Sequence, residues 1–555
     1  MHFLIRADAS LQIGSGHIMR CLTLAHKLRQ HHHRVAFITR AHQGHLADTI
    51  RQQGFDCILL PLPDHATTSA QPQRQPETAC NELPPSPPAP AIPHAAWLAT
   101  SQAQDIADCT PHIRALAPDW IICDHYALAA AWQTAARALC HSKIMVIDDL
   151  HDRAHDADLL LDQNHAHTTA DYAPLVPPSC RILTGTRYAL LRDEFAQHRT
   201  ISLHQRATPP ARQPETALPH SQNILINLGG VDKDNHTLAV LQALSAYVSG
   251  SLKALPIRAT IIMGATAPHL ARIQHYAATA PYPSQVIANA PNMAELMTQA
   301  TWAIGAAGSS SWERCALGLP TLLITIADNQ RPIAAQLQSA GAAIALEASQ
   351  IPSPAFQTAI AHLMQPENQQ RISQAAAQLC DAHGAERVAQ YIAQLATHPQ
   401  AQLRPATPAD CARIHAWRNH PSIRAMMFQP DPIPLPQHQA WFAAQLANPS
   451  FKMYVYTLGG TPQGYGSLKR IAPTEYEWGF YLAPDCPRGN GSILCTLLLQ
   501  RAFGELGAST VHGQVLRHNA ASIALHRKLG FRQPENSLHD DNVVQFELHA
   551  SEAWQ

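Results

Sequence analysis

The stretch that most constrains this chain is its beginning. A short apolar run, Phe3-Leu4-Ile5, reads as a buried first strand, and Ile18, Cys21, Leu22, Ala25 and Leu28 then recur at helical spacing. Between them lies a loop carrying Gly14, Ser15 and Gly16 and ending in His17 and Arg20. A strand, a glycine loop and a helix start form a place where backbone N–H groups face an anion. The glycines let the backbone approach a ligand closely. A histidine at the helix mouth has an imidazole able to work as a base near neutral pH. Taken alone, the spacing is equally that of an ordinary strand-to-helix turn with a surface histidine.

The same pattern returns along the chain. Val35–Thr39 and Cys57–Leu60 read as the next strands, and Asp119–Asp124 and Lys143–Asp149 as two more. The latter pair end in Asp124-His125-Tyr126 and Asp148-Asp149, and polar groups at the carboxyl ends of parallel strands point into the crevice where such sheets bind ligands. Each aspartate alone is also a plausible cap. A second half opens with Asn223–Leu228 and Gly229-Gly230, continues through Ala259–Met263 and Gln285–Ala288, and reaches Trp302–Gly305. After it come Gly308, Ser309 and Ser310, N–H and hydroxyl donors suited to phosphate, with Glu313 one turn into the following helix. A serine N-cap with glutamate three positions on is also a plain capping box.

The opening run, with Asp8, Ser10, Gly14, Gly16, His17 and Arg20, resembles the N-terminus of the UDP-sugar hydrolases of pseudaminic acid biosynthesis. His125, Tyr126, Asn164, Asp171, Tyr172, Arg187, Arg192, Gly229 and Gly230 fall in matching places, over roughly the first 395 residues. That resemblance implies a GT-B fold of two Rossmann-like lobes, as in MurG-type glycosyltransferases. It implies cleavage of UDP-2,4-diacetamido-2,4,6-trideoxy-β-L-altropyranose to the free sugar and UDP, with inversion. It implies His17 as the base and Glu313 on the ribose.

At Leu403 the pattern resets: a strand, Thr407-Pro-Ala-Asp410, then a helix with Ile414, Trp417 and Arg418. Trp478–Leu482 is a strand followed by Cys486, Arg488, Gly489, Asn490 and Gly491 and then an apolar helix. The two glycines offer N–H groups at a helix start, suited to a pyrophosphate. Asn519, Ser522, Leu525 and Leu529-Gly530-Phe531 complete an ordered set that resembles the GCN5-related N-acetyltransferases. The resemblance implies acetyl-CoA as cosubstrate, an oxyanion held by a backbone N–H of a splayed strand, and amine attack on the thioester. Glu475 and Glu477 precede or open that strand on one side; either could hold a water or take the amine proton, and the same residues equally suit a solvated strand edge. His526 stands where many relatives carry a proton-donating tyrosine, and Cys486 where they carry Gln or Arg.

The expected organisation is α/β throughout: a first lobe over 1–200 with a Pro-rich insertion at about 61–95, a UDP-binding lobe over 221–397, and an acetyltransferase domain over 401–550. The residues from Thr200 to Gln222 read as a linker. With 46% apolar and 14% charged residues and a formal charge of -1, the chain has no electrostatic footprint for nucleic acid. Its 12 cysteines form no Cys-x-x-Cys pair, which suits reduced thiols in the cytoplasm. No run of about 18 or more apolar residues suggests a membrane helix, and Met1 runs straight into the first strand without space for a signal peptide. His31-His32-His33 cannot share a helix face, so no metal is expected. The implied partners are UDP-sugars. Two other readings remain open from sequence: a glycosyltransferase fused to an acyltransferase, and a non-catalytic nucleotide-sugar-binding protein.

Overall fold

The computed structural model describes residues 1–63, 92, 94–164, 167–207, 222–250, 257–397, 401–534 and 542–550. The Pro-rich insertion lies almost wholly outside them; of the residues read as a linker, Thr200 to Ala207 instead continue the helix Asp193–Ala207 and Gln222 opens a strand, and 208–221 lie outside the described residues. The described chain divides into two compact units, Met1–Ala389 and Gln390–Gln555.

The first unit holds two parallel sheets. In one, β1 (His2–Ala7), β2 (Arg34–Arg40), β3 (Asp56–Leu60), β4 (Trp120–Asp124), β5 (Lys143–Ile147), β6 (Leu159–Asp162) and β7 (Arg181–Thr184) lie in the order β3-β2-β1-β4-β5-β6-β7. In the other, β8 (Gln222–Asn227), β9 (Ile257–Met263), β10 (Ser284–Ala288), β11 (Trp302–Ala306), β12 (Thr321–Thr325) and β13 (Ile344–Glu347) lie in the order β10-β9-β8-β11-β12-β13. Both orders reverse once, between β1 and β4 and between β8 and β11. At such a switch point the loops leave in opposite directions and open a crevice at the strands' carboxyl ends. Strands covered on both faces read as continuous apolar runs, as Trp120-Ile-Ile-Cys and Thr321-Leu-Leu-Ile do here.

The second unit holds β14 (Ala401–Pro405), β15 (Phe451–Leu458), β16 (Thr461–Ala472), β17 (Glu475–Leu482), β18 (Thr510–Leu516) and β19 (Val543–His549), paired in sequence order. All pairs are antiparallel except β17 with β18. That parallel pair is joined only over Glu475–Glu477 and Thr510–His512. Beyond it the strands part, leaving β17 from Trp478 to Leu482 with one hydrogen-bonding edge unpaired in the sheet.

The contact division falls inside the helix Gly384–Thr397, whose Val388 and Ile392 are both buried. A cut at residue 389 would therefore sever one packed helix. We expect chains cut between 397 and 401 to fold as two separate proteins, each with its own cooperative unfolding transition. Loss of both transitions would show one indivisible body.

Candidate functional site

The helix Gly16–Gln30 starts where the β1 loop ends, and the switch point sets it beside the tip of β4. His17 Nδ1 lies 2.6 Å from Asp124 Oδ1 and donates to it. Arg20 also binds Asp124, through Nε to Oδ2 and Nη2 to Oδ1, both at 2.6 Å, and reaches Asp149 Oδ2 at 3.0 Å. Asp124 is fully buried. Burial alone would raise its pKa, but the charges of Arg20 and then His17 outweigh that and hold the carboxyl well below the usual range. A fixed carboxylate on Nδ1 keeps the proton there and leaves His17 Nε2 as the basic nitrogen. Tyr126 meets the His17 ring edge-on at 4.6 Å and stacks on Trp97.

His17 lines a cleft of ≈ 370 Å³ between the two lobes. From the first lobe come Gly16, Arg20, Tyr126 and Asn164; facing them are Gly308 and Ser309. A β-carbon at Gly16 would lie 3.9 Å from Ser309 Oγ, so the two loops nearly touch. Asn164 Oδ1 accepts from Trp312 Nε1 at 3.0 Å and ties the lobes together. The helix Ser310–Ala316 forms no capping box: the Ser309 side chain accepts no N–H from it, which leaves the hydroxyl to a ligand. Under this loop Arg314 is buried, bonded to Ala306 O, Ser311 Oγ and Ser310 Oγ. Burial draws its pKa down to about 10. The guanidinium lies against Gly305, where a β-carbon would fall 2.5 Å from Nη1.

Several residues expected at the substrate lie elsewhere. Asp8 is fully buried; it accepts from Arg6, Thr39 and the Arg40 N–H. His125 turns inward, its Nδ1 accepting from Ala127 N and its Nε2 3.3 Å from Asp8 Oδ2. Tyr172 is fully buried, its hydroxyl against Asp148 and Asp162. These three build the floor beneath the crevice, their polar atoms turned towards the surrounding protein or, for Asp8 Oδ2 and His125 Nε2, towards each other. Gly14, at φ +80°, closes the β1 loop by donating to Ser10 O, while Gly229 has φ +111° after β8, and neither lines the cleft, nor do Gly230 and Ser310. Glu313 stands just outside it, its carboxylate 3.8 Å from Arg192, which also pairs with Glu194. Burial raises the Glu313 pKa.

In the second unit the parted strands form a cleft of ≈ 500 Å³ lined by Glu477, Trp478, Gly491, Asn519, Ser522 and His526, among others. Gly489 caps the helix Asn490–Leu499 with φ +92°, a conformation that glycine adopts without strain. Arg488 is exposed beside it. Asn490 is committed to the loop itself: it accepts from Tyr456 and donates to Pro487 O. Asn519 caps the helix Ala520–Lys528 by accepting from Ser522 N. Glu475 faces His512 at 3.1 Å and does not line the cleft, whereas Glu477 does. His526 is not arranged as a proton donor. Its Nδ1 donates to Ser522 O and its Nε2 accepts from Trp478 Nε1, so the ring is neutral with both nitrogens used, and burial lowers its pKa.

The sequence reading did not single out Trp97, Gln163 or His167, which also line the first cleft. Gln163 follows the tip of β6, an apolar Leu-Leu-Leu run ending in Asp162, the same signal that marked β4. Among the described residues no helix is long and apolar enough to cross a membrane.

Residues 401–532 match the family described as acetyltransferase (GNAT) domain, and residues 240–392 match the glycosyltransferase family 28 C-terminal domain. Over 197 residues the chain is 27% identical to the UDP-2,4-diacetamido-2,4,6-trideoxy-beta-L-altropyranose hydrolase of Campylobacter jejuni, covering 36% of this chain and 54% of that protein. It is 28% identical over 171 residues to the spore coat polysaccharide biosynthesis protein SpsG of Bacillus subtilis, covering 31% of this chain and 45% of that one. An uncharacterised protein of Methanocaldococcus jannaschii is 20% identical over 570 residues, covering 99% of this chain and 100% of that protein. The chain thus spans about half the length of the Campylobacter and Bacillus relatives. One polypeptide therefore joins a glycosyltransferase family 28 C-terminal domain and an acetyltransferase domain of the GNAT family, and carries a similarity to a UDP-sugar hydrolase.

Proposed function

We propose that the first unit hydrolyses UDP-2,4-diacetamido-2,4,6-trideoxy-β-L-altropyranose and that the second acetylates the 4-amino group of its UDP-aminosugar precursor. The observation that carries the first half is the His17–Asp124 dyad facing Gly308 and Ser309 across one cleft. His17 Nε2 takes a proton from water as its oxygen attacks the anomeric carbon. The bond to the β-phosphate oxygen breaks on the far side, so the configuration inverts and UDP leaves. Uridine diphosphate is a stable anion and departs without a strong acid. The loop of Gly308 and Ser309 supplies donors to the diphosphate, and Glu313 faces the ribose.

In the second unit, Arg488 and the N–H groups after Gly489 are suited to the pyrophosphate of acetyl-CoA, which supplies an activated acetyl thioester. The unpaired edge of β17 offers an N–H to the developing oxyanion. Glu477, on the cleft wall, takes the amine proton directly or through water. Acetylation followed by hydrolysis makes the product of one unit the substrate of the other, and the presence of both units in one chain supports each half. The protein is expected in the cytoplasm, where both cosubstrates are available.

Incubation with the UDP-aminosugar and acetyl-CoA, read by mass and by phosphorus and proton NMR, tests the whole reading. Free diacetamido sugar plus UDP is the expected result. A glycoside would make the first unit a transferase, and UDP binding without turnover would make it a binding protein.

Replacing Gly491 by aspartate tests the second unit separately. A β-carbon there meets only ordinary contacts, 3.7 Å from Leu525 and 3.8 Å from Leu482. The added carboxylate, however, would face the pyrophosphate, and we expect acetyl-CoA affinity to fall at least about tenfold with hydrolysis intact. Unchanged affinity by calorimetry would move the cosubstrate site elsewhere.

A further inference from the structure

A second histidine–aspartate pair lies on the wall of the first cleft. His167 Nδ1 is 2.8 Å from Asp162 Oδ2, at the tip of β6. Asp162 is fully buried and fixed on its other side, its Oδ1 accepting from Asn164 N and its Oδ2 from the Tyr172 hydroxyl. His167 itself is a quarter exposed and lines the cleft with His17. With Nδ1 committed to the carboxylate, Nε2 is the nitrogen left for a ligand. The ring is held in place from two further sides: it stacks on His151 at 5.1 Å and meets Tyr172 edge-on at 5.7 Å.

The two pairs differ in surroundings. Asp124 also receives two bonds from Arg20, so much of its charge is spent before it reaches His17. Among the described residues Asp162 pairs with no arginine or lysine, and the charges that act on His167 are acidic: Asp162, Asp148 just after β5, and Asp171 on the helix Thr169–Tyr172, while Asp149 beside them is taken by Arg20. The opposing group is His151, whose Nε2 donates to Asp171 O. The Asp162 hydrogen bond raises the His167 pKa, against a smaller opposing effect of burial. The cleft thus has one imidazole built as a base and another built to carry charge.

We propose that His167, oriented by Asp162, binds the diphosphate of the nucleotide sugar as an imidazolium and stabilises the charge that gathers on the β-phosphate as it leaves. This rests on the hydrolase reading of the cleft. No proton need be transferred. The C–O bond breaks, its electron pair stays on the phosphate oxygen, and the Nε2–H hydrogen bond to the diphosphate strengthens as that charge grows.

UDP-N-acetylglucosamine is a suitable probe, because a diphosphate diester keeps constant charge across the range where histidine titrates. We expect its affinity, by calorimetry, to be about tenfold higher at about pH 6 than at about pH 8. In His167→Gln the acid-side gain should vanish while uridine binds as before. In His167→Arg tight binding should persist at both pH values, an outcome that a purely structural role would not give. His17→Gln should keep the pH dependence. If His167→Gln retains the full acid-side gain, His167 does not touch the diphosphate. If the wild type binds no UDP-sugar at either pH, the nucleotide-sugar reading of the whole cleft falls, and this inference with it.

Discussion

Replacing His17 by glutamine is expected to slow UDP-sugar hydrolysis about 10²–10⁴-fold, the usual worth of one positioned general base. Glutamine can hydrogen-bond a water but cannot accept its proton, so alanine should be about as poor. Affinity for UDP should hardly change, because the diphosphate donors proposed above, Gly308, Ser309 and His167, are other residues of the cleft wall. Acetyl transfer should be untouched. The readout is kcat for UDP release set beside the Kd of UDP. A folded His17→Gln protein with near-normal turnover would remove this residue from the reaction; loss of UDP binding would reassign it to holding the loop.

Removing the carboxylate behind it should be still more disruptive, and in a different quantity. Asp124→Ala leaves Arg20, itself only 7% exposed, with a single remaining carboxylate, and breaks a buried charged network. We expect a loss of about 3–5 kcal/mol in the first unit's unfolding transition, the range for an ion pair broken from one side. The pH dependence gives a second check. The folded pKa of Asp124 lies below its unfolded value, near 3.8. Its contribution is therefore fully present above the unfolded value and is lost as the pH falls towards the folded one. Wild type should lose stability over that acid range, and Asp124→Ala should lose less. Parallel curves for the two proteins would mean that the pair contributes nothing specific. Asp124→Asn preserves shape but can present its amide to His17, so it should retain more stability than alanine while remaining catalytically poor.

Most strands of the parallel sheets were legible because strands buried on both faces must be apolar without interruption, and the residues that end them are polar by contrast. His17 was legible for a local reason: helix mouth, glycines and imidazole lie within a few residues. Its partner was not. Asp124 is 107 positions away, and nothing in the local sequence says whether Asp124, His125 or Tyr126 turns towards the crevice. The β4 tip sends Tyr126 to the cleft, buries Asp124 behind His17 and folds His125 beneath it. Asp8 and Tyr172 lie off the cleft for the same reason: a polar residue near a crevice also serves its floor. His526 shows the limit of position-by-position comparison: it occupies a donor's place, but Trp478 and Ser522 have claimed both nitrogens. His167 was missed because β6 is a short strand and its histidine lies beyond a loop.

The contact between Gly305 and Arg314 makes the order of substitution at these two positions matter. Any side chain at 305 must enter the space that the guanidinium fills, so Gly305→Ala in the present background costs both packing and the bonds to Ala306 O and Ser310 Oγ. Shortening Arg314 first vacates that space, and position 305 can then vary. The reverse path passes through an intermediate with the clash and no compensation. A chain that keeps Arg314 is thus expected to favour glycine at 305, and one that has lost it to accept other residues there. The two sites should therefore vary together and not independently among descendants of this chain.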